Sequence, residues 1–421
     1  MISTSLRLII LIFTVTYIFL SEWLDKLGLI ALPSGIRHIV VLSCVLFVWL
    51  LSEHKKIQID GKYKKLLFRA LTLFVVGIFF TKGPLPNYFL GAVFTYFFVV
   101  VYLITSNTRL NYNNLIAIFK CYVSFIFLLS LPPIIEGLSQ GTNLRWLPGV
   151  FRELGAFALA MNIAILICLS LFISSKNRIY FILALFFSSA VFMTVLKKSM
   201  IENILIWIYF IITHVKSKNR KYYLILLSSF MFVIIMLMAN DIRNNITQNT
   251  EYLDRVGSSE HVRIGMFIAA YNIAADNFPL GSGFGTFASL SSIYNGYSEL
   301  HHTYGVSMIG SNSPRDVEAG HHTLLDTFWP HILAEMGLLG GLLYVLIWFR
   351  PVQIAYKFYN SKYSLTVRAL SFYIITIIPM MMLEGFVLYT PDIPSFILMH
   401  SALTGYCMYV IREKSKLHQV T

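Results

Sequence analysis

The sequence predicts an all-α, polytopic membrane protein, and three observations carry that prediction. Of its 421 residues 57% are hydrophobic and 13% are Asp, Glu, Lys or Arg, against about 45–50% and about 25% in a soluble domain. Mean hydropathy is +0.69. The apolar residues are also gathered into runs near the roughly 20 residues that a spanning helix needs. Together these exclude a soluble globular enzyme, a disordered chain and a nucleic-acid module.

The spans read as about 12 segments, at roughly 6–23, 36–52, 66–81, 88–105, 114–131, 154–173, 180–196, 200–214, 223–239, 329–349, 368–387 and 394–411. The first run lacks a small-residue cleavage site and reads as a retained helix. Only Lys197-Lys198-Ser199 separates the seventh from the eighth, which leaves a tight hairpin or a break within one helix. The organisation is therefore 1–239 with nine spans, a long loop over 240–328, and 329–421 with three more.

The net charge of +13 reads as a topology signal. With a cytoplasmic N-terminus, about twenty of the 33 basic residues fall in roughly 70 inner positions, among them Lys55, Lys62, Lys65, Lys218, Arg350 and Arg412. Both termini are then inside and the long loop is outside. Cys44, Cys121, Cys168 and Cys407 all lie in apolar runs, which argues against a disulfide framework. Within the loop, Ser258-Ser259-Glu260 can cap a helix running to about Asn277, and Pro279-Leu280-Gly281-Ser282-Gly283-Phe284-Gly285 breaks it.

Three outer clusters carry candidate chemistry. Arg145, Arg152 and Glu153 stand at the entry to the sixth span, able to bind an anionic head group or to anchor a helix end. Lys197 and Lys198 sit at a membrane boundary, where a lysine pair is costly unless it meets water, lipid phosphate or substrate. In the long loop, Arg255 and Arg263 offer guanidinium forks suited to phosphate oxygens. His301-His302 and His321-His322 lack the cysteines or the spaced carboxylate–His box of a zinc site. His321 and His322 precede the tenth span, and imidazole is the commonest general base near neutrality. Glu335 lies inside that span, one turn from His331; an ionisable group there is a functional candidate or a buried, hydrogen-bonded structural carboxylate. Glu202 and Glu384 also lie in spans, with no partner evident from sequence.

Three patches resemble the O-antigen polymerase (Wzy) and O-antigen ligase (WaaL) family. The first is Arg145…Gly149-Val150-Phe151-Arg152-Glu153-Leu154-Gly155. The second is Arg255…Arg263-Ile264-Gly265-Met266-Phe267 with Pro279-Leu280-Gly281-Ser282-Gly283 and Phe287, and the third is His321-His322-Thr323-Leu324-Leu325 with Glu335-Met336-Gly337-Leu338-Leu339-Gly340. Leu154, Phe267 and His322 stand where that family has proline, tryptophan and asparagine.

The resemblance implies a metal-independent, inverting glycosyltransferase of the GT-C type, with no cofactor, in the bacterial inner membrane and with its active site facing the periplasm. Donor and acceptor would be glycans on undecaprenyl pyrophosphate. A chain-length regulator and a flippase of the same pathway would be its partners, and nucleic acid would not. It implies His321 or His322 as base, Arg263, Arg255, Lys197 and Lys198 on pyrophosphate, and Arg145, Arg152, Glu153 and Glu335 around the cavity. Polymerisation of repeat units is the leading expectation, transfer of polymer to lipid A–core the alternative, and a lipid-linked sugar flippase a third.

Overall fold

The computed structural model describes residues 34–50, 58–140, 154–194, 196–214, 262–294, 298–306, 327–359, 362–386 and 398–420, with a few single positions elsewhere. Among the described residues every regular element is helical. They are α1 (Ser34–Leu50), α2 (Gly61–Gly77), α3 (Leu85–Thr105), α4 (Tyr112–Gln140), α5 (Leu154–Ser175), α6 (Arg178–Met193) and α7 (Lys197–His214). Then come α8 (Val262–Asp276), the short α9 (Leu290–Tyr294) and α10 (Glu299–Thr303), α11 (Trp329–Phe358), α12 (Leu365–Glu384) and α13 (Leu403–Val420), which a π-turn at Leu398–Ala402 precedes.

Five of these helices, α3, α4, α5, α11 and α12, are long and apolar enough to cross a membrane, and α1 and α6 are shorter apolar helices. This is a helical membrane-embedded architecture. The centre is α5. It is apolar on all sides, and Phe157 to Leu171 are buried without interruption, as expected of a helix surrounded by others. Its neighbours include α4, α6, α7 and α12. The four cysteines are unpaired.

Helix starts follow local chemistry. Asp60 caps α2 by accepting from the Tyr63 N–H at 3.2 Å, and Asn177 and Ser364 cap α6 and α12 in the same way. α6 and α7 form a tight hairpin, and Lys197-Lys198-Ser199 is the first turn of α7. Ser188 accepts from Asn203 Nδ2 at 3.3 Å and from Trp207 Nε1 at 2.8 Å, and the Phe181 and Trp207 rings lie 5.4 Å apart. In one continuous helix those rings would be roughly 39 Å apart.

Contacts sort the helix ends into two groups. At one end Arg350 grips Asp60, the Gln58 N–H donates to Asn107 at 2.6 Å, Tyr112 meets Ser174, and Tyr359 meets His214 at 3.0 Å. At the other, Lys82 N donates to the Ser282 carbonyl at 2.8 Å, Trp329 Nε1 to the Met382 carbonyl at 2.8 Å, and Lys198 pairs with Glu384. From α2 to α7 the helices alternate in direction between these ends, and α11 and α12 again run in opposite directions. The first is called the Asp60 end and the second the loop end.

The Asp60–Arg350 contact joins α2 to α11. Arg350 donates to Asp60 Oδ2 through both Nε, at 3.0 Å, and Nη2, at 2.6 Å. Partial burial works against the charged carboxylate, but the Arg350 and Tyr63 donors outweigh it, and Asp60 sits below its ordinary value of 3.8. A depressed folded pKa adds stability above the unfolded value and loses it as pH falls through the folded one. Asp60→Asn should therefore lower the melting temperature in detergent at pH 7. The gap from wild type should hold down to about pH 4 and close below it. Melting curves across that range check this.

Candidate functional site

The loop end is organised around a break in α11. Gly337 has φ 64° and ψ −175°, which interrupts the helix. Carbonyls just before such a break lose their intrahelical donors. The loop after α8 replaces them. Ser282 N donates to the Ala334 carbonyl at 2.9 Å, and Gly283 N to the Glu335 carbonyl at 3.0 Å. Gly281, at φ +71°, faces Gly337 so closely that a Cβ on it would strike the Ala334 carbonyl and the Gly337 nitrogen. On its other side the loop rests on α3, where Gly285 abuts Gly91 and the Asn87 backbone.

Glu335 completes the clasp. It is 1% exposed, and its Oε1 accepts from Phe287 N at 3.0 Å and from Ser289 Oγ at 2.6 Å. The cavity that it borders with Tyr88, Tyr96 and Phe284 is about 20 Å³, room for one water and not for a sugar. Its contacts are those of an anchor for the loop. His331, one turn earlier on the helix, packs edge-on against Phe328 with centroids 4.6 Å apart. His301 is also structural: it accepts from Ala288 N at 3.2 Å and lies against Phe287.

A second cluster lies where α5, α7 and α12 meet. Lys197 is exposed, whereas Lys198 turns inward and pairs with the fully buried Glu384. Glu202, one turn beyond Lys198, adjoins Glu384 and accepts from Asn162 Nδ2 at 3.2 Å. Asn203 Nδ2 then donates to Asn162 Oδ1 at 3.2 Å. One lysine thus faces two carboxyl groups, and amides supply further donors. Sequence reasoning left Glu202 and Glu384 unpartnered because Lys198 and Glu384 are 186 positions apart. The helical spacing of Lys198 and Glu202 was the available signal.

The α8 helix connects these features. Its buried residues Met266, Ala270 and Ile273 pack with Ala334 of α11, and Phe267 stacks on Phe386, two residues past Glu384. Arg263 stands one turn before Phe267 on the same helix face, partly buried. The loop end therefore collects Arg263 and Lys198 around the end of α12. A polar cleft of about 460 Å³ opens at this end, lined in part by Lys82, Asn87, Asn277, Thr286, Glu299 and Thr303. That volume lies in the range of small-molecule sites. Arg145, Arg152, Glu153, Arg255, His321 and His322 lie outside the described residues.

No protein-family model matches the chain, and no curated protein does.

Removing one partner of a buried ion pair strands the other charge, at a cost of roughly 3–5 kcal/mol. Lys198→Ala should therefore lower the melting temperature in detergent, and adding Glu384→Gln should recover part of the loss. A double-mutant cycle on purified protein measures the coupling.

Proposed function

We propose that the protein is a polysaccharide polymerase, an inverting GT-C-type glycosyltransferase of about 12 spanning helices in the bacterial inner membrane. It joins oligosaccharide repeat units carried on undecaprenyl pyrophosphate, for O-antigen or capsule. The loop end faces the periplasm and the basic Asp60 end the cytoplasm, in keeping with the positive-inside rule.

The observation that carries this reading is the grouping of Lys198 and Arg263 around the end of α12, beside a loop held by the Glu335 clasp. Cations fixed at a membrane boundary suit a lipid-linked pyrophosphate. As the bond from C1 to the pyrophosphate oxygen breaks, negative charge grows on the leaving group. Preorganised cations that meet it lower the barrier, by about 3 kcal/mol for a well-placed group. Arg263, Arg255 and Lys198 take that role. His321 or His322 accepts the proton of the acceptor hydroxyl, whose oxygen attacks C1 from the opposite face. A pyrophosphate leaving group needs no general acid, and no carboxylate dyad is required.

The test uses purified protein in detergent with one lipid-linked repeat unit and no nucleotide sugar. The expected result is a ladder of longer glycans with release of undecaprenyl pyrophosphate. The ladder is lost in His321→Ala or His322→Ala at unchanged protein level. Transfer only after lipid A–core is supplied would replace polymerase by ligase. No transfer to either acceptor would overturn the glycosyltransferase reading.

A further inference from the structure

The Asp60 end carries a feature that the proposed reaction does not use. On α2, Lys62, Lys65 and Arg69 follow at spacings of three and four, which places them on one helix face, and all three are exposed. Arg69 stands eight residues into the helix, about 12 Å from its start. There it lines a groove between α2 and α11 formed by Phe68, Thr72, Leu73, Leu339, Leu342 and Leu346, with a volume of about 380 Å³. The groove walls are open: Phe68 is 70% exposed and Leu342 58%. Among the described residues no carboxylate pairs with Arg69.

An arginine at this depth is costly in hydrocarbon unless its head reaches a phosphate. Arg69 sets a guanidinium at the mouth of an apolar groove, and Lys65 and Lys62 continue the positive charge toward the membrane surface. The surrounding apolar walls are of a length to take acyl chain.

We propose that the groove between α2 and α11 is a binding site for an anionic glycerophospholipid in the leaflet at the Asp60 end. Its phosphate lies on Arg69, its head group meets Lys65 and Lys62, and an acyl chain runs along Phe68, Leu73, Leu339, Leu342 and Leu346. A zwitterionic lipid would bring its own cation to a site that already holds three, so the site selects by head-group charge. The groove runs from Arg69 to Leu339, one turn past Glu335, and Leu73 also lines the cavity at the clasp, but the inference uses no residue assigned to the proposed reaction.

The test places a reporter at Phe68, an exposed position that tolerates a larger ring. Phe68→Trp protein is reconstituted in bilayers containing increasing fractions of phosphatidylglycerol or phosphatidylcholine with brominated chains. Quenching is read against the wild-type background. Each surface cation corresponds to about fivefold in anionic-lipid binding. With three cations at the site, half-quenching should therefore need at least about fivefold less brominated phosphatidylglycerol than phosphatidylcholine. Adding Arg69→Gln should weaken quenching and narrow the gap, Lys65 and Lys62 keeping part of it, and Arg69→Lys should keep most of it. Coincident curves in the Phe68→Trp protein, or a gap that Arg69→Gln leaves intact, would overturn the site.

Discussion

A helix in hydrocarbon cannot break unless something else supplies the hydrogen bonds that the break removes. That constraint governs the loop end of this protein. Gly337 interrupts α11, and the freed carbonyls of Ala334 and Glu335 are met by the N–H groups of Ser282 and Gly283. The Glu335 side chain closes the arrangement from the other direction, through Phe287 and Ser289. The break is thus the docking point of the loop. Because α8 runs directly into that loop, the backbone repair at Gly337 also helps to position α8 and its Arg263.

The second organising element is the buried charge around Lys198. A single ammonium serves Glu384, with Glu202 adjoining and Asn162 donating to it. Such a pair is a poor source of stability, since desolvation offsets most of its attraction. It is better understood as a means of fixing α7 against α12 in one register. A cation held in this way is preorganised, which is what the proposed role on a charged leaving group requires. The Asp60–Arg350 contact does comparable work at the opposite end, joining α2 to α11 near the basic surface.

Much of the helical layout was legible in the sequence, because apolar runs and their polar breaks follow from transfer energetics alone. The limits were those of hydropathy. It starts the second described helix near residue 66, whereas the helix begins at Gly61, because Asp60 caps a turn that is rich in lysine. It ends the tenth span near 349, whereas α11 continues to Phe358, since Arg350 finds a carboxylate. The Pro279–Gly285 loop and the Glu335–Gly340 segment were each visible as motifs. That they bind one another was not, because the glycine that breaks α11 sits in an apolar stretch that hydropathy reads as continuous. Nor could sequence choose between Lys197 and Lys198. Helix phase turns Lys198 inward, onto Glu384, and Lys197 out.

The central claim is that the Glu335 clasp holds the loop in place, and amide hydrogen exchange of the Pro279–Ser289 segment in bilayer discs tests it most directly. The hydrogen bonds of Ser282, Gly283, Phe287 and Ala288 predict slow exchange in the native protein and a large acceleration in Glu335→Ala, with α5 unaffected. Fast exchange of this segment in the native protein, or no change in the variant, would contradict the account.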